Sequence, residues 1–261
     1  MKPLSQFPAS AARAIRYVLT DVDDTLTYRG SLSAATYLAL ERLRDAGIVV
    51  VPVTAAPCGW CDVMVRMWPV GGVIGENGGV YLRCGGDDID IRFWLPRPER
   101  ARSMARLRLT AEAIAAAIPN VQTAADQPYR QTSWAISTSA KGADRSRAVE
   151  RVVAAWRDAG ASVTINSLWV LGWHGDFDKL AMAKVMMTEV FSVDLDLERG
   201  HVIYVGDSLN DEPMFKFFPH AVAVSTISAW LNQLTCLPSW VTSGLGGSGF
   251  VEVADAILSS R

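Results

Sequence analysis

Short apolar runs alternate with helix-period patterns through the first third of the chain and again toward its end. The run at residues 17–19 predicts a strand. Leu38, Leu40 and Leu43 mark a helix that closes at Gly47, where glycine supplies the cap. Residues 48–53 are almost wholly β-branched and predict a strand buried on both faces. A helix through residues 63–68 and a third strand at Val73-Ile74 follow. The same alternation returns as a helix at residues 178–190, a strand at 202–205, a helix around 210–217 and a strand at 221–224. The glycine-rich stretch 244–249 reads as a loop into a last helix at 251–258. It is no phosphate-binding P-loop, because it lacks the Gly-Lys-Ser/Thr ending. This β-then-α rhythm predicts an α/β protein with a parallel, doubly wound sheet and helices on both of its faces.

The middle of the chain has a different pattern. Gly78-Gly79 to Arg83, with the turn Gly85-Gly86-Asp87-Asp88, predicts an antiparallel hairpin leaving the sheet edge. Residues 97–118 form a long Ala- and Arg-rich helical stretch bounded by prolines. Residues 133–139 alternate as a strand, and 145–159 read as a helix ended by Gly160. Residues 161–165 and 168–171 read as paired strands around Asn166-Ser167. The expected organisation is therefore a core of residues 1–83 and 175–261 with an α+β insert, a cap, at 84–174.

Composition narrows the function classes. Half of the residues are apolar, and the net charge is only −2. A bulk electrostatic attraction to nucleic acid or to an anionic membrane is not expected. No uninterrupted apolar segment is long enough for a membrane span, and residues 1–13 show no signal core. A cytoplasmic protein acting on a small molecule, as monomer or homodimer, is the expectation. Cys58-Gly59-Trp60-Cys61 follows a strand and opens a helix, the context of a reactive dithiol. Its alternative is two small residues at a packed position.

The stretch Asp21-Val22-Asp23-Asp24-Thr25 carries the strongest chemical signal. Carboxylates crowded at the end of a strand repel one another and call for a cation or a proton. Three further patches accompany it: Thr54 directly after the strand at 48–53, Lys179 at a helix start, and Gly206-Asp207-Ser208-Leu209-Asn210-Asp211 after the strand at 202–205. In a parallel sheet the C-terminal strand ends share one edge, where ligands bind. Asp21 is the candidate nucleophile, because a carboxylate can take up a phosphoryl group. Asp23 is the candidate proton carrier, first as acid and then as base. Asp21, Asp207 and Asp211 are hard oxygen ligands suited to Mg²⁺, with a backbone carbonyl from Asp23. Thr54 and Lys179 suit phosphoryl oxygens, and so does Asn210, whose alternative reading is to fix its loop. Taken alone, each aspartate has a plainer reading as a helix cap.

In this order the four patches resemble the four motifs of the haloacid-dehalogenase-like (HAD) phosphohydrolase superfamily. Asp21-x-Asp23-x-Thr25 stands as its first motif, and Gly-Asp-Ser-x-Asn-Asp at 206–211 as a variant of its fourth. The insert resembles the cap of the Cof-like branch, which includes sucrose-phosphate, trehalose-phosphate and mannosyl-3-phosphoglycerate phosphatases. Gly75-Glu76-Asn77-Gly78-Gly79 resembles the segment leading into that cap. The resemblance implies a Rossmann-like HAD core and a Mg²⁺-dependent phosphatase. Its expected substrate is a sugar phosphate or a phosphorylated organic acid, met in the cap by residues such as Arg130, Asn166 and Ser167. A phosphomutase of the same superfamily and a dithiol redox protein are the alternatives. Two departures stand out. Ala55-Ala56 replaces the usual Gly-Arg after the second motif, and Leu180 replaces a glycine after Lys179.

Overall fold

The computed structural model describes residues 1–86, 88–165 and 169–261. The chain opens with β1 (Lys2–Pro3), α1 (Ala9–Ala14) and β2 (Tyr17–Thr20). A small hairpin, β3 (Thr27–Tyr28) and β4 (Ser31–Leu32), leads to α2 (Ala34–Asp45), β5 (Val49–Pro52), α3 (Cys58–Met67) and β6 (Val73–Gly75). The hairpin of β7 (Val80–Gly85) and β8 (Asp88–Phe93) comes next. Then follow α4 (Arg97–Ala117), β9 (Val121–Thr123), β10 (Ser133–Thr138), α5 (Gly142–Asp158), β11 (Ser162–Ile165) and β12 (Val170–Trp173). The last part holds α6 (Lys179–Phe191), α7 (Leu195–Glu198), β13 (Val202–Gly206) and α8 (Glu212–Phe217). It closes with β14 (His220–Ala223), β15 (Trp240–Val241) and α9 (Gly246–Leu258).

The central sheet runs β1-β15-β14-β13-β2-β5, every pair parallel. Successive strand residues enter opposite cores. Val18, Val50, Ile203 and Val205 pack with α2, α3 and α9, whereas Leu19, Val51 and Tyr204 pack with α6 and α8. Burial on both faces is the reason these strands are continuously apolar rather than alternating. Beyond β5, a single parallel bridge between Val53 and Ile74 leads to the antiparallel sheet β6-β7-β8. The strand expected at Val73-Ile74 is present, and it turns the sheet from parallel to antiparallel. Residue 84 lies inside β7, and β8 continues that sheet.

A second sheet, β11-β12-β10-β9, is antiparallel throughout. Leu107, Ala111 and Ile114 of α4 and Ala148, Val152 and Trp156 of α5 share one core with Ile136 and Val170 of this sheet. Asn166 and Ser167, expected between two paired strands, lie outside the described residues; the flanking strands β11 and β12 do pair.

The glycine-rich stretch 244–249 departs from expectation. The helix starts at Gly246 instead of after a loop. Its first turn lies against β3 and α2 so closely that a Cβ on Gly247 would stand 2.7 Å from the Leu26 carbonyl oxygen. Glycine is selected there for close approach, not for disorder. Among the described residues, no helix is long and apolar enough to cross a membrane.

Candidate active site

Three strand ends and one helix start converge. Asp21 follows β2, Thr54 follows β5, Asp207 follows β13, and Lys179 opens α6. Parallel pairing of β13 with β2, and of β2 with β5, brings the three ends to one edge. The Asp21 N–H donates to the Val205 carbonyl at 2.8 Å, which extends the ladder and fixes the first carboxylate beside the β13 loop. Asp178 caps α6 by accepting the Ala181 N–H at 2.7 Å, so the next residue, Lys179, is held at the start of the helix.

Lys179 is fully buried, and its Nζ donates to Asp21 Oδ1 at 2.9 Å and to Asp211 Oδ1 at 2.6 Å. Oxygens of Asp21, Asp207 and Asp211 lie within 4.8 Å of one another. Three carboxylates thus face one ammonium, a surplus of two negative charges that one divalent cation would cancel. Burial pushes the Asp21 carboxyl up to about 7, with Lys179 opposing the shift and Asp211 and Asp23 adding to it. Burial, then Asp21 and Asp211, raise Asp207 well above the usual carboxylate range. Burial opposes the charge on Lys179, but Asp21 and Asp211 outweigh it and raise the ammonium above its ordinary range. These groups suit a hard cation, which would favour the ionised forms that burial disfavours.

The acids are not equivalent. Asp211 Oδ1 also accepts from the Tyr204 hydroxyl, and its Oδ2 accepts the N–H groups of Asp207 and Ser208 at 2.9 and 3.0 Å. With Lys179, four donors occupy this carboxylate. Gly206 makes this possible, since a Cβ there would stand 2.6 Å from Asp211 Cγ. Asp211 therefore also does what the helix-cap reading expected, closing a capping box with Ser208. Among the described residues the Asp207 carboxylate accepts only a long contact from the Thr25 hydroxyl, at 3.4 Å, which leaves most of its lone pairs open to them.

The remaining candidates divide in the same way. Burial, then Asp24, raises the pKa of Asp23, which suits a group that must carry a proton. Thr54 is fully buried, and its hydroxyl oxygen accepts the Ala56 N–H at 3.0 Å. The Asn210 carboxamide oxygen accepts the Ser208 hydroxyl at 2.8 Å, so this side chain does fix its loop.

Arg130 differs from the substrate contact expected of it. Its side chain is fully buried, paired with Asp126 at 2.8 Å, and donates to the Ala55 carbonyl at 3.0 Å and the Ser133 hydroxyl at 3.3 Å. The guanidinium is committed to bracing the loop after β5, because a buried charge needs such partners. An arginine does reach Ala55, but from residue 130 rather than from residues 55–56.

Glu76 went unassigned by sequence reasoning beyond its place in the Glu-Asn-Gly segment. It is fully buried with a left-handed backbone (φ 48°), and its carboxylate accepts from the N–H groups of Cys58, Gln131, Thr132 and Ser133 and from the Thr132 and Ser133 hydroxyls. It ties the helix start of α3 to the strand start of β10. The Cys58 thiol is pushed up to about 12 by burial and then by Glu76, and burial raises Cys61 well above its usual range. Neither forms the thiolate that dithiol exchange requires near neutral pH. The plainer reading, packed small residues, fits them.

A search of solved structures finds this architecture repeatedly. The chain matches a sucrose-phosphatase from Synechocystis sp. PCC6803, solved with sucrose and phosphate, at TM-score 0.63 and 13% identity, over 94% of this chain and 98% of the other. The C-terminal domain of a C. albicans trehalose-6-phosphate phosphatase matches at TM-score 0.71 and 12% identity, over 96% and 95%. BT1666 from Bacteroides thetaiotaomicron, a HAD-superfamily phosphatase, matches at TM-score 0.60 and 19% identity, over 95% and 96%. The chain has the fold of the HAD-superfamily phosphatases. Both the doubly wound core and the inserted antiparallel sheet of the HAD fold are present in it. No protein-family profile matches the sequence, and no curated protein matches it. The fold is thus kept at identities that leave only scattered side chains in common.

Proposed function

We propose that this protein is a phosphomonoester hydrolase that uses Mg²⁺ and transfers the phosphoryl group of a small metabolite first to Asp21 and then to water. The observation that carries the reading is the buried Lys179, held between Asp21 and Asp211 with the open carboxylate of Asp207 beside them. Asp21 and Asp207 would hold the cation, with Asp211 orienting the lysine and the loop. The cation, when bound, offsets charge on the phosphoryl oxygens and keeps Asp21 ionised.

In the first step an Asp21 oxygen forms a bond to phosphorus while the ester P–O bond breaks. Asp23 delivers its proton to the departing oxygen, a role its raised pKa suits. In the second step Asp23 takes a proton from water as that water attacks phosphorus. Inorganic phosphate leaves, and the Asp21 carboxylate is restored. Lys179 fixes the attacking carboxylate and offers positive charge to the transferring group. Thr54 and the amide nitrogen of Asn210 are the neutral donors for phosphoryl oxygens. The unit of α4, α5 and their four strands acts as the cap, which we place at residues 97–173, shielding the reaction from bulk water.

The test is phosphate release over a panel of sugar phosphates and phosphorylated acids, with and without Mg²⁺. At least one ester should be hydrolysed only with Mg²⁺, and Asp21→Asn should abolish release. An Asp21→Asn protein that still turns over would refute the mechanism.

A further inference from the structure

Helix α3 is apolar on two sides. Cys58, Cys61, Met64 and Val65 face the core, whereas Trp60, Val63 and Met67 stand on the opposite side at 48% to 68% exposure. A helix that is apolar all round is one that is covered all round. Of the nine tryptophans, Trp60 is the one exposed among the described residues. The apolar surface continues past both ends of the helix. The Tyr129 ring lies over the first turn, 3.2 Å from where a Cβ on Gly59 would stand, and Tyr129 is 58% exposed. At the far end the Tyr37 hydroxyl donates to the Met67 carbonyl at 2.7 Å, which brings α2 alongside.

Scattered exposed apolar side chains are ordinary in a folded protein, but a continuous patch is not. With roughly 100 Å² showing on each of Trp60, Val63, Met67 and Tyr129, the patch holds about 400 Å² of apolar surface. A stable interface takes about 800 Å² from each partner, and a little over half of that is apolar. The patch therefore has the apolar area of one side of such an interface. Its aromatic, Met and Arg content is also that of interfaces.

The pattern along α3 is self-complementary. At about 100° per residue, Val63 lies on the outward crest, Trp60 and Met67 on one flank, and Gly59, Asp62 and Arg66 on the other. When two antiparallel helices are related by a two-fold axis, each flank faces its own counterpart, run in reverse. With the axis at Val63, Trp60 of one copy meets Met67 of the other, an aromatic ring against a thioether. On the other flank Asp62 of one copy meets Arg66 of the other. These two already pair within the helix at 2.9 Å, and each gains a second opposite charge across the axis. A parallel pair would set the charged flank against Trp60 and Met67 and desolvate it without a partner. The net charge of −2 opposes the approach of a second copy only weakly.

We infer that this face of α3 is the interface of a symmetric homodimer, in which α3 packs antiparallel on the α3 of a second copy about a two-fold axis at Val63. The inference is independent of the phosphatase reading. Tyr129 precedes Arg130, the brace of the loop after β5, so the interface draws on both the core and the cap of each copy.

The test is sedimentation velocity of the full chain and its variants from about 1 to 100 µM. The parent should form a dimer with a Kd of about 10 µM or below. Trp60→Glu should weaken it by about 10²-fold or more, because the central aromatic contact is lost from both copies at once. Asp62→Arg and Arg66→Asp should each weaken self-association by about tenfold or more, since each sets like charges across the axis. An equal mixture of these two variants restores both opposite-charge pairings, and its heterodimer should return to within about threefold of the parent Kd. Circular dichroism checks that each variant is folded, and rescue by mixing is out of reach for unfolded chains. A parent that stays monomeric at about 100 µM would overturn the proposal, as would a dimer whose Kd moves less than about threefold in Trp60→Glu. A mixture that associates no better than either variant alone would overturn the antiparallel register, and the proposal with it.

Discussion

Replacing Glu76 by glutamine keeps the shape and removes one of two acceptor oxygens, which makes it a sharp probe of how cap and core are joined. Four of the six donors converge on Oε2, and the N–H groups of Cys58 and Gln131 converge on Oε1 at 3.2 and 2.7 Å. The better orientation of the carboxamide keeps its oxygen toward Thr132 and Ser133. Its NH₂ then faces the buried Cys58 N–H and the part-buried Gln131 N–H, which no longer have an acceptor. A buried polar group left unpaired costs about 1–3 kcal/mol, and the part-buried one about 1 kcal/mol at the low end of that range, so Glu76→Gln should lose about 2–4 kcal/mol. A chain of this size loses roughly 2–4 °C in Tm per kcal/mol, and the expected fall is about 4–16 °C in a thermal melt. The left-handed backbone at Glu76 is held against its intrinsic cost by these same bonds. A Glu76→Gln protein melting within about 2 °C of the parent would show that the carboxylate does not join the two units.

Other perturbations separate the roles within the site. Lys179→Met removes the ammonium shared by Asp21 and Asp211, and kcat with saturating Mg²⁺ should fall by about 10²–10³ or more; a fall under about tenfold would refute its role. Asp21 is held up at about 7 by burial, so in EDTA its proton stabilises the fold at low pH, and that contribution is lost as pH rises through about 7. Mg²⁺ should therefore raise Tm clearly at about pH 8 and little at about pH 5, where protons compete for the same oxygens; equal shifts at both would contradict the ligand assignment. Replacing Cys58 and Cys61 together by alanine should leave phosphate release within about twofold of the parent, and loss of turnover in a protein of unchanged fold would revive a thiol role.

The core strands were legible because both of their faces are buried. A run such as 48–53 has no polar position to confuse the pattern, and β5 lies inside it. β1, β9 and β15 were not, since elements of two or three residues carry no period. Asp21, Lys179 and Asp207 were visible because their residue types, in this order at two strand ends and one helix start, resemble a known set of motifs. The division between Asp207 and Asp211 was not visible. It depends on Tyr204, two backbone N–H groups and the missing side chain at Gly206, none of which spacing reveals. Arg130 and Glu76 show the same limit, since each is defined by partners far away in sequence. Arg130 resembled a ligand contact while serving as a brace. Glu76 resembled a loop residue while serving as a six-donor anchor.

The most direct test of the central claim is to quench the protein with acid during turnover of a hydrolysed ester and weigh the peptide that contains Asp21. Transfer to Asp21 predicts that this peptide gains the mass of one phosphoryl group, and that the gain is absent from Asp21→Asn. Phosphate released in the same reaction with no modified peptide, or with the added mass on another residue, would contradict the account.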